Sequence, residues 1–138
     1  MNIETLNAYE TLTFWVEHDI LFGKLNRTNC YLTDAAVTVY LAKIESLTQG
    51  IPMPLVLDIG KFVGNFSPSA ARLFVDSPIS KTLITNQAFV TKTLHGKLLV
   101  GSYIRIYGQE SDIKIFSQLD AAVSYCLESK NKYSVEND

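Results

Sequence analysis

The spacing of apolar and polar residues changes period several times along the chain, and each change marks an element. Thr11 to Val16 is rich in β-formers, Glu17-His18-Asp19 is polar and turn-like, and Ile20 to Leu25 is apolar again. Two such runs around a short polar link predict a β-hairpin. The two-residue strand period places Leu12, Phe14 and Val16 on one face and Thr13, Trp15 and Glu17 on the other. Residues 1–10 are weakly patterned and read as an arm or an edge strand.

A helical period follows. Thr33 suits an N-cap, with Asp34 placed to complement the helix dipole, and Leu32 and Val37 stand at the spacing of a hydrophobic staple. Val37, Leu41, Ile44 and Leu47 form one stripe with Tyr40 beside it. Gly50, Pro52 and Pro54 end the helix. Leu55-Val56-Leu57 then shows no polar alternation, as in a central strand covered on both faces and ending at Asp58. A glycine-bearing loop leads to Ser67-Pro68, a serine cap with proline in the first helical position. That helix continues through Ala70, Ala71, Leu73 and Phe74 and stops at Asp76-Ser77-Pro78.

Thr82 to Thr91 predicts a further strand from near Leu83. Leu94, Leu98, Leu99, Tyr103 and Ile106 predict a helix over 94–106, which Gly96 and Gly101 weaken by about 1 kcal/mol each relative to alanine. Residues 108–112 read as a loop, Ile113 to Phe116 as a last strand, and a final helix starts at Ser117 or Gln118 and runs through Ala122, Val123, Cys126 and Leu127. The polar residues 129–138 are expected to form a disordered tail. The order β-β-α-β-α-β-α-β-α predicts a single α/β domain over 1–128, with a mixed, mostly parallel sheet and crossover helices.

Composition narrows the function classes. The chain has 138 residues, 47% hydrophobic and 11% aromatic, with net charge −2. A core of that size needs no staples, and the charge balance lacks the basic footprint of a nucleic-acid binder. No apolar run approaches the roughly 18 residues of a membrane span, so stable membrane insertion is not expected. The start of the chain has no signal-peptide pattern, and Cys30 and Cys126 fit reduced thiols better than a disulfide framework. A cytoplasmic location is the expectation.

No catalytic constellation, metal spacing or cofactor motif is visible. His18 and His95 each stand alone, and neither cysteine has a base nearby in sequence. Gly60-Lys61 and Gly64-Asn65 match neither a phosphate loop nor a dinucleotide fingerprint, and suit loop geometry. Asp58 reads either as a carboxylate facing a ligand or partner, or as an acceptor for the backbone of its own loop. Ser67 and Ser69 read as a regulated pair at a helix N-terminus, where a phosphate is favoured, or as an ordinary cap and a surface serine. Trp15 is either an exposed anchor for a partner or a second copy, or core. Tyr103 and Tyr107, at helical spacing, read either as the edge of the core or as a ligand box.

The segments Leu55-Val56-Leu57-Asp58-Ile59-Gly60 and Phe66-Ser67-Pro68-Ser69-Ala70-Ala71-Arg72 resemble the STAS-like branch of the bacterial anti-sigma-factor-antagonist family. So does the later succession of Ala88-Phe89-Val90, a helix, Ile113-Lys114-Ile115-Phe116 and Leu119-Asp120-Ala121-Ala122. The resemblance covers about Leu12 to Leu127. In that family a serine at the corresponding helix start is phosphorylated by a partner kinase, which switches binding. Ser67 stands nine residues after Asp58, in the corresponding neighbourhood. However, Pro68 falls where the modified serine is expected, and Phe66 replaces its acidic neighbour. The resemblance implies a non-enzymatic regulatory or protein-interaction module in signalling. It would dock a protein partner through Asp58, Gly60, Lys61, Asn65, Ser67 and Ser69, with homodimerisation through Trp15 a further expectation. Related domains on this fold are similar to lipid-binding CRAL-TRIO-type modules. They imply the alternative, a small apolar molecule or lipid held between the sheet and helix 94–106.

Overall fold

The computed structural model describes residues 11–108 and 112–137. The arm or edge strand expected over 1–10, and most of the loop expected over 108–112, lie outside the described residues. Seven strands are present among the described residues: β1 (Leu12–Glu17), β2 (Ile20–Leu25), β3 (Tyr31–Leu32), β4 (Met53–Gly60), β5 (Asn65–Phe66), β6 (Ile84–Thr91) and β7 (Ile113–Phe116). The helices there are α1 (Asp34–Thr48), α2 (Pro68–Asp76), α3 (Pro78–Leu83), α4 (Leu94–Tyr107) and α5 (Leu119–Asn137).

The main sheet runs β1-β2-β4-β6-β7. Only the β1–β2 hairpin is antiparallel. The hairpin turns through His18 (φ 53°) and Asp19 (φ 58°), the paired left-handed conformation that matches strand twist in a two-residue loop. Leu55 and Leu57 of β4 face a core shared with α1, α2 and α4, where Leu12, Tyr40, Ile44 and Tyr103 also pack. Val56 faces the opposite layer, with Ile20, Phe22, Ala88, Ala122 and Cys126 beneath α5. Burial on both faces is why β4 reads as an uninterrupted apolar run. Pro54 is tolerated inside this central strand because the β4–β6 register shifts between Met53 and Leu55, a bulge that spares a ladder bond.

Several boundaries differ from the sequence expectation. β4 continues past Asp58 to Gly60. Ser77-Pro78 ends α2 and also starts α3, with the Ser77 hydroxyl accepting from the Ile79 N–H. It thus repeats the serine-cap and proline grammar of Ser67-Pro68. β3 and β5 form a separate two-stranded parallel ribbon, Tyr31 opposite Asn65 and Leu32 opposite Phe66. α5 carries its helical backbone to Asn137, through the stretch expected as a tail, where no glycine or proline interrupts it. Leu47 is exposed on α1, and Thr48 closes the buried stripe in its place.

The buried face of α4 also differs. Gly96, Val100 and Tyr103 are buried, whereas Leu94, Leu98 and Ile106 are exposed. A Cβ at Gly96 would collide with the Thr91 side chain of β6, so the glycine lets the helix lie close on the sheet. Gly101 has open space where its Cβ would be. Close backbone approach is therefore a property of Gly96 alone of the two.

Candidate functional site

The carboxyl ends of β4 and β6, the loop 60–66 and the starts of α1, α2 and α4 converge at one end of the sheet. The convergence is built from backbone and cap bonds. The Val63 N–H donates to Thr28 O (2.7 Å), the Asn65 N–H to Cys30 O (3.1 Å) and the Ser67 N–H to Leu32 O (3.1 Å). These bonds tie the loop to the β3 segment. On its other side the Thr93 hydroxyl donates to Phe62 O (3.3 Å), and His95 Nε2 bonds Gly64 O (2.9 Å). The loop is thereby clamped between β3 and the first turn of α4. His95 is exposed in the first turn of α4 and acts as a clamp on the loop.

Asp58 does what a loop-closing carboxylate does. Its Oδ1 accepts the Gly60 N–H at 3.0 Å, and Gly60 holds a left-handed φ of 53°, a conformation glycine adopts without steric cost. Its side chain faces the α5 layer, sharing that face with Lys24 and Val90 by register. There it lines a shallow groove with Trp15, Phe22 and Leu119. Asp58 is therefore separated by the sheet from the serines with which sequence grouped it. Trp15 stacks on Phe22, centroids 5.4 Å apart and planes 10° apart. It is 37% exposed, partly covered by its cross-strand neighbour rather than enclosed in core. Lys61 and Asn65 are exposed on the loop, and Asn65 Oδ1 accepts the Phe66 N–H at 2.8 Å.

The serines form a network with a residue that sequence assigned only to the dipole of α1. The Ser67 hydroxyl accepts the Ala70 N–H (3.0 Å) as N-cap and donates to Asp34 Oδ1 (3.2 Å). The Ser69 hydroxyl donates to the same Asp34 oxygen at 2.7 Å. One carboxylate thus joins the N-termini of α1 and α2, where both helix dipoles favour its charge. No spacing rule links residues 34 and 67, because only the parallel β3–β5 ribbon brings them together. Ser67→Ala is expected to cost about 1 kcal/mol, the usual loss of a cap, read as a lower urea midpoint with unchanged slope. Ser69→Ala, which leaves the cap in place, should lose less.

Around this network the surface is unusually apolar. Tyr31, Val63, Leu94 and Leu98 are 59%, 51%, 71% and 63% exposed. Each stands beside a bond that holds the loop: Tyr31 pairs with Asn65, Val63 lies in the chain between Phe62 and Gly64, whose carbonyls are bonded by Thr93 and His95, Leu94 lies between those two residues, and Leu98 is one turn further on. Sequence periodicity gave Leu94 and Leu98 as helical positions without saying which side of the helix lies on the sheet. The signal available was Gly96, whose missing side chain marks the face that lies on the sheet.

Beneath the ribbon lies a cavity of about 130 Å³, bounded by the sheet and by α1, α2 and α4. Leu55, Leu57, Ile59, Phe89, Ala71 and Val100 are among its walls. Tyr40 and Tyr103 also line it, and neither hydroxyl has a hydrogen-bond partner. Cys126, on the sheet-facing side of α5, is fully buried, and Cys30 is half-buried. Burial raises both thiols above their ordinary range, the opposite of what a nucleophile requires. Among the described residues, no group of three His, Cys, Asp or Glu side chains is placed to hold a metal. None of their helices is long and apolar enough to cross a membrane.

A solved structure from Shewanella loihica PV-4, an uncharacterized protein of the DUF3478 family with a SpoIIAA-like fold, superposes with a TM-score of 0.56. The similarity covers 83% of this chain and 91% of that one at 17% identity. The likeness is one of fold, and it agrees with the STAS-like architecture expected from the strand-Asp-loop-helix succession. No curated protein matches the chain. A family profile matches residues 14–130, nearly the whole of the described sheet and its helices, and the chain belongs to that family, the domain of unknown function DUF7793.

Proposed function

We propose that the chain is a non-enzymatic regulatory module that docks a protein partner on the loop and helix starts 60–69 together with the first turns of α4. The observation that carries this reading is the cluster of Tyr31, Val63, Leu94 and Leu98, large apolar side chains more than half exposed at the end of the sheet where open α/β folds bind. Around the cluster, Lys61, Asn65, Ser67 and Ser69 supply a polar rim, the usual anatomy of an interface. The SpoIIAA-like fold fits a regulatory module.

Ser69 is the hydroxyl suited to tuning this surface. It is exposed and not used as a cap, and its hydrogen bond to Asp34 helps hold α1 to α2. A phosphate there would face the Asp34 carboxylate and loosen that junction through like-charge repulsion. Asp58 contributes through the shape of the loop.

The test is affinity capture from lysate of the native host with wild-type protein and with a Leu94→Ser/Leu98→Ser variant. Surface substitutions of this kind change stability by about 0.5 kcal/mol or less, so the variant should melt with the wild type. Loss of two exposed anchors should weaken the captured complex by at least about tenfold. A partner retained equally by both proteins would place docking elsewhere. Intact-mass analysis of protein from the same host reads the Ser69 part separately.

A further inference from the structure

The outward face of α4 is not used by the fold, and its chemistry says what fits it. We propose that this face seats an amphipathic helix with acidic flanks, supplied by the partner protein. The proposal rests on the docking surface described above and adds the kind of partner it takes.

The face is continuous. Gly96, Val100 and Tyr103 hold α4 on the sheet. At the helical period, Leu94, Leu98, Gly101 and Arg105 fall on the opposite side as a single stripe, with Ile106 beside it. From Leu94 to Arg105 the stripe runs about 16 Å, roughly three turns of a partner helix. Leu94, Leu98 and Ile106 are each more than half exposed, at the spacing by which one helix anchors another.

Gly101 supplies the shape. Glycine is the poorest helix former after proline. Gly96 is explained by its approach to Thr91, but a Cβ at Gly101 would meet nothing within 4 Å. Its φ is not positive either, so neither neighbours nor backbone conformation require a glycine there. On the stripe its missing side chain leaves a hollow between Leu98 and Arg105. Ridges of one helix pack into such hollows of another, with axes about 8–10 Å apart. Close approach of a second helix accounts for a glycine that the fold itself leaves unexplained.

Charge supplies the sign. α4 contains Lys97 and Arg105 and no acidic residue, although acidic residues outnumber basic ones in the chain, 14 to 12. α1 and α5 carry Asp34 and Asp120 in their first turns, whereas the first turn of α4 carries no acid. Exposed Lys97 therefore adds to the positive end of the helix dipole. A second copy of α4 would set like charges against like, which disfavours self-association on this face. An acidic helix would place carboxylates beside Lys97 and Arg105 and its apolar ridge over Leu94, Leu98 and Gly101. An anionic membrane offers the same charge but no ridge for the hollow.

An NMR titration tests this with two synthetic peptides of about 18 residues, above the marginal length for an isolated helix. One is an amphipathic leucine–glutamate helix, and the other has lysine in place of each glutamate. The acidic peptide should shift the amides of Leu94, Leu98 and Gly101 and bind about tenfold more tightly than the basic one. Lys97→Glu should remove that preference. Gly101→Gln introduces a good helix former and should melt no lower than the wild type. It should nonetheless weaken the acidic peptide by about fivefold or more, because its side chain fills the hollow. Equal binding of the two peptides, binding of neither, or unchanged affinity in Gly101→Gln would overturn the proposal. So would flotation of the protein with phosphatidylcholine–phosphatidylglycerol vesicles in place of peptide binding, which would make the face a lipid contact. Capture from lysate separates this proposal from the docking surface beneath it. Capture lost in Leu94→Ser/Leu98→Ser but kept in Gly101→Gln would leave the surface standing and remove the helix seat. Capture kept in both would remove the surface itself.

Discussion

Raising the pH from 8 to 11 is expected to cost the fold on the order of 5 kcal/mol. Cys126, ordinarily at 9.0, is pushed up to about 12 by burial, with the Asp112 charge adding to it. Tyr40 and Tyr103, ordinarily at 10.0, are pushed up by burial as well. All three are acids with raised folded-state pKa values. Their stabilising contribution is therefore complete below the unfolded values and is lost as pH rises. Above about pH 9 the unfolded chain releases the cysteine proton while the folded chain keeps it, and above about pH 10 the two phenols follow, each at roughly 1.4 kcal/mol per pH unit. At pH 11 the thiol accounts for about 2.7 kcal/mol and the phenols together for a similar amount. The whole fold of a typical domain is worth about 5–15 kcal/mol, so the protein should be close to alkaline unfolding there. Urea midpoints measured from pH 7 to 11 check it. The expected curve is flat to about pH 9 and then falls in two stages, and in Cys126→Ala the fall begins one pH unit later. A flat curve to pH 11 would mean that these groups are hydrated in the folded protein.

Gly64→Ala is expected to be the most damaging single-methyl substitution in the described part of the chain. A Cβ at Gly64 would collide with the Cys30 carbonyl oxygen and lie 2.7 Å from the Cys30 nitrogen. Backbone cannot swing aside as a side chain can, so the loop 60–66 must part from β3. With it go the Val63–Thr28 and Asn65–Cys30 hydrogen bonds and the parallel ribbon. A cost of about 3 kcal/mol, at the upper end of overpacking effects, corresponds to roughly 10 °C in Tm for a chain of this size. Gly101→Ala, with open space at its Cβ, is the control and should be neutral or slightly stabilising through helix propensity. Because Phe66 is part of the ribbon and Ser67 follows it directly, Gly64→Ala should also weaken partner capture.

Much of the fold was legible along the chain because its rules are local. The caps at Thr33 and Ser67 depend on a hydroxyl three residues before an N–H, and the hairpin on two apolar runs around a polar pair. β4 declares its burial by lacking alternation. The candidate site was legible only in part. Asp58, Ser67 and Ser69 are close in sequence, yet Asp58 faces the α5 layer while the serines bind Asp34 on the other side of the sheet. Successive strand residues point to opposite faces, so proximity in sequence does not give a shared face once the strand has ended. On α4 two apolar stripes compete, and periodicity alone cannot say which one lies on the sheet.

By itself the sequence determined the element types, the single-domain α/β class and the end of the sheet at which to look, because hydrophobic period and capping chemistry act over a few residues. Only the tertiary structure decided that Asp34 joins the two serines and that Leu94 and Leu98 face outward while Gly96 faces the sheet. It alone decided that a cavity with two unpartnered tyrosines lies beneath Phe66. Each of these is a contact between segments far apart in the chain, set by β3–β5 pairing and by how close α4 can approach β6. No local pattern carries that information.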